Sequence, residues 1–317
     1  MKYVGLQSQI SKNNVKSVVL LIAFPILLLG LVWLFFFLIN YYLIDDKSTF
    51  SISDVHQGFI STVPFVTIAV LVWFLIAWFS HSSIIRKATG SKPLERIHNK
   101  RVYNLTENLC ISRGMKMPKL YIIEDDSLNA FASGLSDATF AVTLSRGIID
   151  KLDDDELEGV IAHELTHILN RDVRLLIISI IFVGIFSFVA EMAIRSIRFG
   201  GRGNKKESGA IILIIIGLGI FGLLLSSFFR FSLSRKREYL ADAGAAEMTK
   251  KPLALANALR KISKDPWIEA VKRDDIAQMF IDHPTKKKED KSFLSAFTGM
   301  FATHPPIDKR IQLLEQF

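Results

Sequence analysis

Long apolar stretches recur along this chain and are separated by segments of mixed character. They cover about residues 17–39, 59–79, 173–194 and 210–229. Each stretch is close to the ~20 residues that an α-helix needs to cross a bilayer. The first is too long for the apolar core of a signal peptide, and no small-residue cleavage site follows it, so we expect a retained anchor. The pattern therefore predicts four membrane helices.

The segments of mixed character predict helices and a few strands. Helical patterns cover about 94–111, 238–248 and 253–262, whereas β-rich runs cover 119–124 and 139–144. The expected fold class is α+β, mainly helical, with a small β-sheet beside the four membrane helices.

The chain divides into four regions on this basis. Two transmembrane helices come first, followed by one part of a soluble domain, the third and fourth hydrophobic helices, and a second soluble part. These regions cover residues 1–85, 86–172, 173–231 and 232–317.

Composition supports a membrane protein. Hydrophobic residues make up 50% of the chain, more than an ordinary soluble domain needs, and the net charge is +8. The basic residues cluster beside the apolar runs, as Arg86 and Lys87 do, which is typical of a membrane protein and not of a nucleic-acid-binding protein. We therefore expect a lipid bilayer as a partner and no nucleic acid. The single cysteine, Cys110, excludes an intramolecular disulfide and is interpreted as a core residue.

Charge next to the first two apolar stretches predicts their orientation. Lys12 and Lys16 precede the first stretch, and Arg86 and Lys87 follow the second. The positive-inside rule then places the N-terminus and both soluble parts in the cytoplasm. The loop between the third and fourth stretches is also basic, so the sequence leaves open whether those two segments cross the membrane completely.

The segment His163-Glu164-Leu165-Thr166-His167 forms an HExxH pattern. Residues four apart share one face of a helix, so both imidazoles can reach one cation, while Glu164 can reach a water on that cation. The alternative is a solvated helix with two unrelated histidines. The apolar stripe of this helix leaves the histidines off its buried side, which favours the zinc-hydrolase interpretation.

Glu238 and Asp242 are candidates for completing the site. They are four residues apart and share a helix face. Glu238 would be the third zinc ligand, and Asp242 would accept the second ring N–H of a ligating histidine. Taken alone, the pair could be an ordinary charged helix face, but the HExxH pattern favours a ligand.

These motifs resemble those of the HtpX-like membrane zinc endopeptidases, which are relatives of the CAAX prenyl endopeptidases. The resemblance rests on HELTH at 163–167, EYLAD at 238–242, NAFASG at 129–134 and THPP at 303–306 followed by Arg310. It implies a zincin-like metalloprotease domain with one Zn²⁺ per subunit, in the bacterial inner (cell) membrane. It also implies that His304, and next to it Arg310, stabilises the tetrahedral intermediate.

A strand beside the metal helix is a candidate for substrate binding. Residues 138–144, with Ala141 and Val142, could form an edge strand that pairs with an extended substrate, and Asn129 could fix the turn that positions it. A plain structural hairpin explains the same residues equally well.

Three functions are compatible with these residues. The first is a zinc endopeptidase with Glu164 as general base, acting on misfolded or surplus membrane proteins and on unfolded protein substrates. The second is processing of a specific lipidated CAAX-type peptide. The third is a non-catalytic zinc-binding membrane scaffold.

Overall fold

The computed structural model describes most of the chain. The described residues are 6–43, 50–182, 184–185, 216–217, 219, 221, 236–266, 268, 279–281 and 305–317. Contacts divide the chain into two units. One comprises residues 1–15, 80–177 and 231–317, and the other comprises residues 16–79 and 178–230.

Eight named helices and four strands form the described architecture. In chain order they are α1 (Leu6–Leu43), α2 (Ile52–Thr89), β1 (Lys92–Pro93), α3 (Lys100–Arg113), β2 (Lys119–Ile123), β3 (Ala130–Ser133), β4 (Ala141–Ser145), α4 (Arg146–Lys151), α5 (Asp154–Leu169), α6 (Lys236–Thr249), α7 (Pro252–Ile262) and α8 (Ile307–Leu314). Residues 172–182 are also helical. The predicted class, mainly helical α+β with a small sheet, is confirmed.

Helices α1 and α2 contain the first two apolar stretches. Each is 38 residues long, and both are long and apolar enough to cross a membrane by length and composition. Of the third stretch, residues 173–182 are helical, and most of the fourth stretch lies outside the described residues. The complete set of four membrane helices therefore stays a prediction.

The sheet is mixed and has the order β1-β2-β4-β3. Strands β2 and β4 are parallel, with Leu120 opposite Val142, whereas β3 is antiparallel to β4, with Ala132 opposite Val142. The prediction that residues 138–144 form an edge strand is wrong, because β4 lies between β2 and β3. The short run that follows Asn129 pairs along β4 and covers its free side.

Helix α5 carries the HExxH pattern and begins as the acidic run predicts. The Asp153 carboxylate accepts a hydrogen bond from the Glu156 backbone N–H at 2.9 Å, and the Glu156 carboxylate accepts one from the Asp153 N–H at 3.0 Å. This capping box satisfies two donors that would otherwise lack helical partners. The helix is also buried along most of its length, so its orientation is fixed at both the cap and the core.

Small residues let α5 approach two other helices closely. A methyl group on Gly159 would lie 3.2 Å from Cα of Leu255 on α7. A methyl group on Gly244 of α6 would lie 2.4 Å from Cγ2 of Thr166 on α5. The glycines therefore set the distance between α5 and its neighbours, and α6 is the helix that carries Glu238.

We expect Cys110 to resist alkylation in the folded protein. The residue is buried on α3, and burial, together with the nearby Glu107 charge, raises the pKa of its thiol to about 11. At pH 8 only about 0.1% of the thiol would then be ionised. Iodoacetamide labelling should be at least roughly 100-fold slower in the folded chain than in the denatured chain, and it should accelerate as the pH rises towards 11. Equal labelling rates would contradict a buried core position.

Candidate metal centre

Helix α5 places its two histidines side by side. Nε2 of His163 lies 3.2 Å from Nε2 of His167, and the rings are nearly perpendicular. The four-residue spacing produces this arrangement because it advances a helix by about one turn. Two imidazole nitrogens at this distance can both bind one metal ion.

Glu238 on α6 completes a group of three potential ligands. Its carboxylate oxygens lie 3.7 Å from Nε2 of His163 and 3.6 Å from Nε2 of His167. All three side chains are largely buried, and their ligand atoms lie within 4.8 Å of one another. The structure therefore brings together the three residues that the sequence predicts as metal ligands.

A carboxylate lies against the second ring nitrogen of each histidine. Oδ1 of Asp242 is 3.0 Å from Nδ1 of His163, and Oδ2 of Asp172 is 3.2 Å from Nδ1 of His167. A carboxylate in this position favours the tautomer with its proton on Nδ1, which leaves the Nε2 lone pair free for a metal.

Arg310 on α8 is fully buried next to Asp242. Its guanidinium donates to both Asp242 carboxylate oxygens, at 2.9 and 2.7 Å, and to the Ile281 carbonyl at 3.1 Å. Its Nη2 lies 3.4 Å from Nε2 of His163. Although burial alone raises the pKa of Asp242, Arg310 and His163 hold it below its ordinary value. Arg310 thus keeps Asp242 ionised beside the histidine.

Glu164 lies in the wall of the cleft that contains the three potential ligands. Ala132, Met279 and Phe280 line the same cleft. The side chain is almost completely buried, and burial raises the pKa of its carboxyl above the ordinary value, against the opposing effect of the two histidines. Without a metal, this carboxyl therefore holds its proton more strongly than an ordinary glutamate does.

The histidines hold protons strongly when no metal is present. Burial lowers the pKa of His167, but the charge of Glu238 and the hydrogen bond to Asp172 outweigh it and raise the pKa to about 10. The net effect on His163 has the same direction, because Asp242 and Glu238 outweigh its burial. A metal would therefore displace protons on binding.

Comparison with known proteins identifies a family to which this sequence is similar. The profile of peptidase family M48 matches residues 96–317. A protease HtpX homolog of Bacteroides fragilis is 58% identical over 100% of both chains.

This chain belongs to peptidase family M48.

Other relatives agree with the assignment. A protease HtpX homolog of Dictyoglomus thermophilum is 35% identical over 78% of this chain and 80% of that protein. A crystal structure of S. mikatae Ste24p covers 96% of this chain and 65% of that chain, with 19% identity and a TM-score of 0.43, which is too low to add to the assignment. This M48 chain is a metalloprotease of the HtpX type, and His163, His167 and Glu238 are its candidate metal site.

The residues predicted to bind substrate, Asn129, Ala141 and Val142, are not among the residues that line the cleft of this M48 domain. Ala141 and Val142 are in β4, where both neighbouring strands pair with them. Asn129 is fully buried and donates its side-chain amide to the Pro266 carbonyl at 2.8 Å. Its backbone N–H donates to the Ser145 hydroxyl, and its carbonyl accepts from the Ser145 N–H, both at 3.0 Å. These contacts give Asn129 a structural role at the start of β3. His304 lies outside the described residues.

The sequence interpretation missed Asp172. Asp172 lies just after the end of α5. An acidic residue so close in sequence to His167 is the signal that could have identified it. The helix is interrupted at Arg171, whose φ of 61° lies in the left-handed region. This turn returns the Asp172 carboxylate to His167, a contact that a continuous helix would not place there.

We expect Gly244→Ala to weaken metal binding through helix spacing. The new methyl group would lie 2.4 Å from Cγ2 and 2.9 Å from Oγ1 of Thr166. The Thr166 hydroxyl donates to the Ala162 carbonyl at 2.8 Å, which opposes rotation of the side chain, so we expect α6 to move away from α5, which carries the histidines. Overpacking of this kind lowers the free energy of unfolding by about 1–3 kcal/mol. Metal affinity, measured by competition with a chelator, should fall by roughly tenfold or more.

A compensating substitution tests the same explanation. Thr166→Ala removes both crowding atoms and leaves only Cβ, 3.3 Å from the new methyl group. The double variant Gly244→Ala, Thr166→Ala should therefore recover most of the affinity, with Thr166→Ala alone as its control. Unchanged affinity in Gly244→Ala would refute the spacing argument.

Proposed function

We propose that this chain is an integral membrane zinc endopeptidase that hydrolyses misfolded or surplus membrane proteins. The observation that carries the proposal is the convergence of His163, His167 and Glu238 at a cleft whose wall includes Glu164. The long apolar helices support a membrane location. By the positive-inside pattern, we assign the catalytic parts to the cytoplasmic side of the bacterial inner membrane, in a multi-pass chain.

The donor set fits zinc. Two atoms bound tetrahedrally to zinc at 2.0–2.1 Å lie about 3.3 Å apart. The two imidazole nitrogens are 3.2 Å apart, and the Glu238 carboxylate approaches them through different oxygens, Oε2 at 3.7 Å from Nε2 of His163 and Oε1 at 3.6 Å from Nε2 of His167. Two imidazoles and one carboxylate form a common catalytic zinc set, which leaves one position for water or substrate.

The chain's own residues supply the proton transfers and the orientation. When bound, zinc polarises the scissile carbonyl and makes water more acidic. Glu164 accepts the proton of the attacking water and passes it to the leaving amine. Asp242 and Asp172 hold the two imidazoles so that each Nε2 atom is directed towards the position that the metal would occupy.

Stabilisation of the tetrahedral intermediate needs a further donor. We retain His304 for this role on sequence resemblance. Arg310 stays the second candidate, because its guanidinium lies 3.4 Å from Nε2 of His163 and 3.8 Å from Oε2 of Glu238. Since the guanidinium also donates to both Asp242 oxygens and to the Ile281 carbonyl, we assign to Arg310 the positioning of Asp242 as well.

Strand β3 is a better candidate for substrate contact than β4. The Ala130 carbonyl accepts a hydrogen bond from the Ile281 N–H at 2.9 Å, on the side away from β4. Phe131 forms an antiparallel bridge with Phe280 on the same side, so residues 279–281 lie along the outer backbone of β3. Ala132, Met279 and Phe280 line the cleft. We propose that an extended substrate lies against this part of the cleft wall and is held across the metal site.

The regional division is part of the same proposal. Residues 1–85 would form two transmembrane helices, and residues 173–231 would form the third and fourth hydrophobic helices. Residues 86–172 and 232–317 would form the two parts of one catalytic domain. The grouping of residues 80–177 with 231–317 in one unit supports this last point.

The experiment that tests the function uses the full chain purified in detergent. Cleavage of an unfolded protein is compared with cleavage of a prenylated peptide, after metal removal by a chelator and after zinc is added back. The proposal predicts zinc-dependent cleavage of the unfolded protein. Cleavage of the prenylated peptide alone would identify a processing protease, and zinc binding without any cleavage would identify a scaffold.

A further inference from the structure

We propose that Asn13, in the segment ahead of the first apolar stretch, is a positioning residue of the metal site. The inference rests on the proposed function, because it assigns a role towards the metal ligand His167. Asn13 precedes the region that the M48 profile matches, which begins at residue 96. The proposal therefore extends the metal site to a part of the chain that the family match does not include.

The side-chain amide of Asn13 binds both ends of one turn. Nδ2 donates to Oδ1 of Asp172 at 2.7 Å and to the backbone carbonyl of Asn170 at 2.8 Å. All three residues are buried, and Asn13 is 1% exposed. An amide nitrogen has two N–H donors, and this geometry uses both of them.

The turn that Asn13 holds is strained. Asn170 is the C-cap of α5, and Arg171 follows it with a φ of 61°. A non-glycine residue in this conformation is strained and persists only where its surroundings hold it. Asn13 joins the residue before this position to the residue after it. Through these two hydrogen bonds, Asn13 fixes the position of the Asp172 carboxylate at the C-terminal end of α5.

Asp172 transmits the effect to the metal ligand. Its Oδ1 accepts from Asn13, and its Oδ2 lies 3.2 Å from Nδ1 of His167. The Asn13 contact prevents the carboxylate from rotating away, so one oxygen stays directed at the imidazole. This keeps the His167 proton on Nδ1 and the Nε2 lone pair on the metal side.

The role requires a hydrogen-bond donor at position 13. An aspartate has almost the same shape but offers two acceptors, and it would place a second carboxylate against Asp172. A leucine keeps the approximate volume and offers neither donor nor charge. The two variants therefore remove the donor in different ways.

The test measures metal binding by the full chain in detergent, with Zn²⁺ in competition with a chelator. Asn13→Asp and Asn13→Leu should weaken zinc affinity by about 10- to 100-fold, the range that loss of a residue supporting a metal ligand produces. The visible absorption of the Co²⁺-loaded protein should also change, because it depends on ligand geometry. The control is Ser11→Asp, which adds the same charge at an exposed position of α1 and should leave both readouts as in the unchanged chain.

The outcomes separate this inference from the proposed function. If Asn13→Asp does not fold, Asn13→Leu decides alone, because it adds no charge beside Asp172. Wild-type zinc affinity and Co²⁺ absorption in a folded Asn13→Leu variant would overturn the inference and leave the proposed metal site intact. Equal losses in Ser11→Asp would also overturn it. Absence of zinc binding by the unchanged chain would instead refute the proposed function.

Discussion

Glu164→Gln should retain the metal and lose proteolysis. The glutamine amide has nearly the same size as the carboxyl, but it cannot accept the proton of the attacking water. Loss of a general base lowers the rate by about 10²- to 10⁴-fold. We expect this loss in kcat for an unfolded protein substrate, while the zinc content of the purified chain stays at that of the wild type.

The matched control for this variant is Glu158→Gln on the same helix. Glu158 pairs with Lys251 at 3.1 Å, on a part of α5 that is separate from the ligands, and the pair is partly exposed. Its removal should change activity by less than about twofold. Wild-type activity in Glu164→Gln would contradict the assignment of the general base. Simultaneous loss of zinc would show that Glu164 supports metal binding.

Arg310→Met should destabilise the catalytic domain strongly. The guanidinium is 1% exposed and donates twice to the buried Asp242 carboxylate. Removal of the guanidinium leaves the buried Asp242 charge without its main partner, which lowers the free energy of unfolding by about 3–5 kcal/mol. The apparent melting temperature in detergent should fall by roughly 10 °C, and zinc affinity should fall because Asp242 supports His163.

Two comparisons test the reason for this loss. Arg96→Met removes an exposed ion pair with Glu107 and should cost less than about 1 kcal/mol. Arg310→Met combined with Asp242→Asn removes the buried charge as well, so part of the lost stability should return. If Arg310→Met melts at the same temperature as Arg96→Met, the buried pair contributes little to stability.

Local sequence patterns predict much of the metal-bearing region. The acidic residues before the HExxH pattern predict a helix start, and the structure has a capping box between Asp153 and Glu156 there. The spacing of Glu238 and Asp242 predicts one helix face, and both residues are buried on α6. Such predictions succeed because a helix relates residues three and four apart through fixed geometry.

Strand order is less accessible from local patterns. The runs at 119–124 and 139–144 agree closely with β2 and β4, but their parallel pairing and the position of β3 come from tertiary contacts. Four consecutive buried residues in β3 show no alternation that would mark them as a strand. The predicted edge position of β4 failed for this reason.

The supports of His167 show a second limit. Asp172 is close in sequence, but its approach depends on the left-handed conformation of Arg171, a residue type that seldom signals such a turn. Asn13 is separated from Asp172 by 159 positions. No spacing rule connects such residues, because their contact exists only after folding.

Anomalous X-ray diffraction at the zinc edge, from crystals of the full chain, would locate the metal itself. We expect one zinc ion per chain, bound by Nε2 of His163, Nε2 of His167 and a carboxylate oxygen of Glu238. We also expect Asp242 and Asp172 to contact the imidazoles and not the metal. A zinc ion bound elsewhere, or bound at this site without Glu238, would show that the three residues are not the metal ligands of this protease.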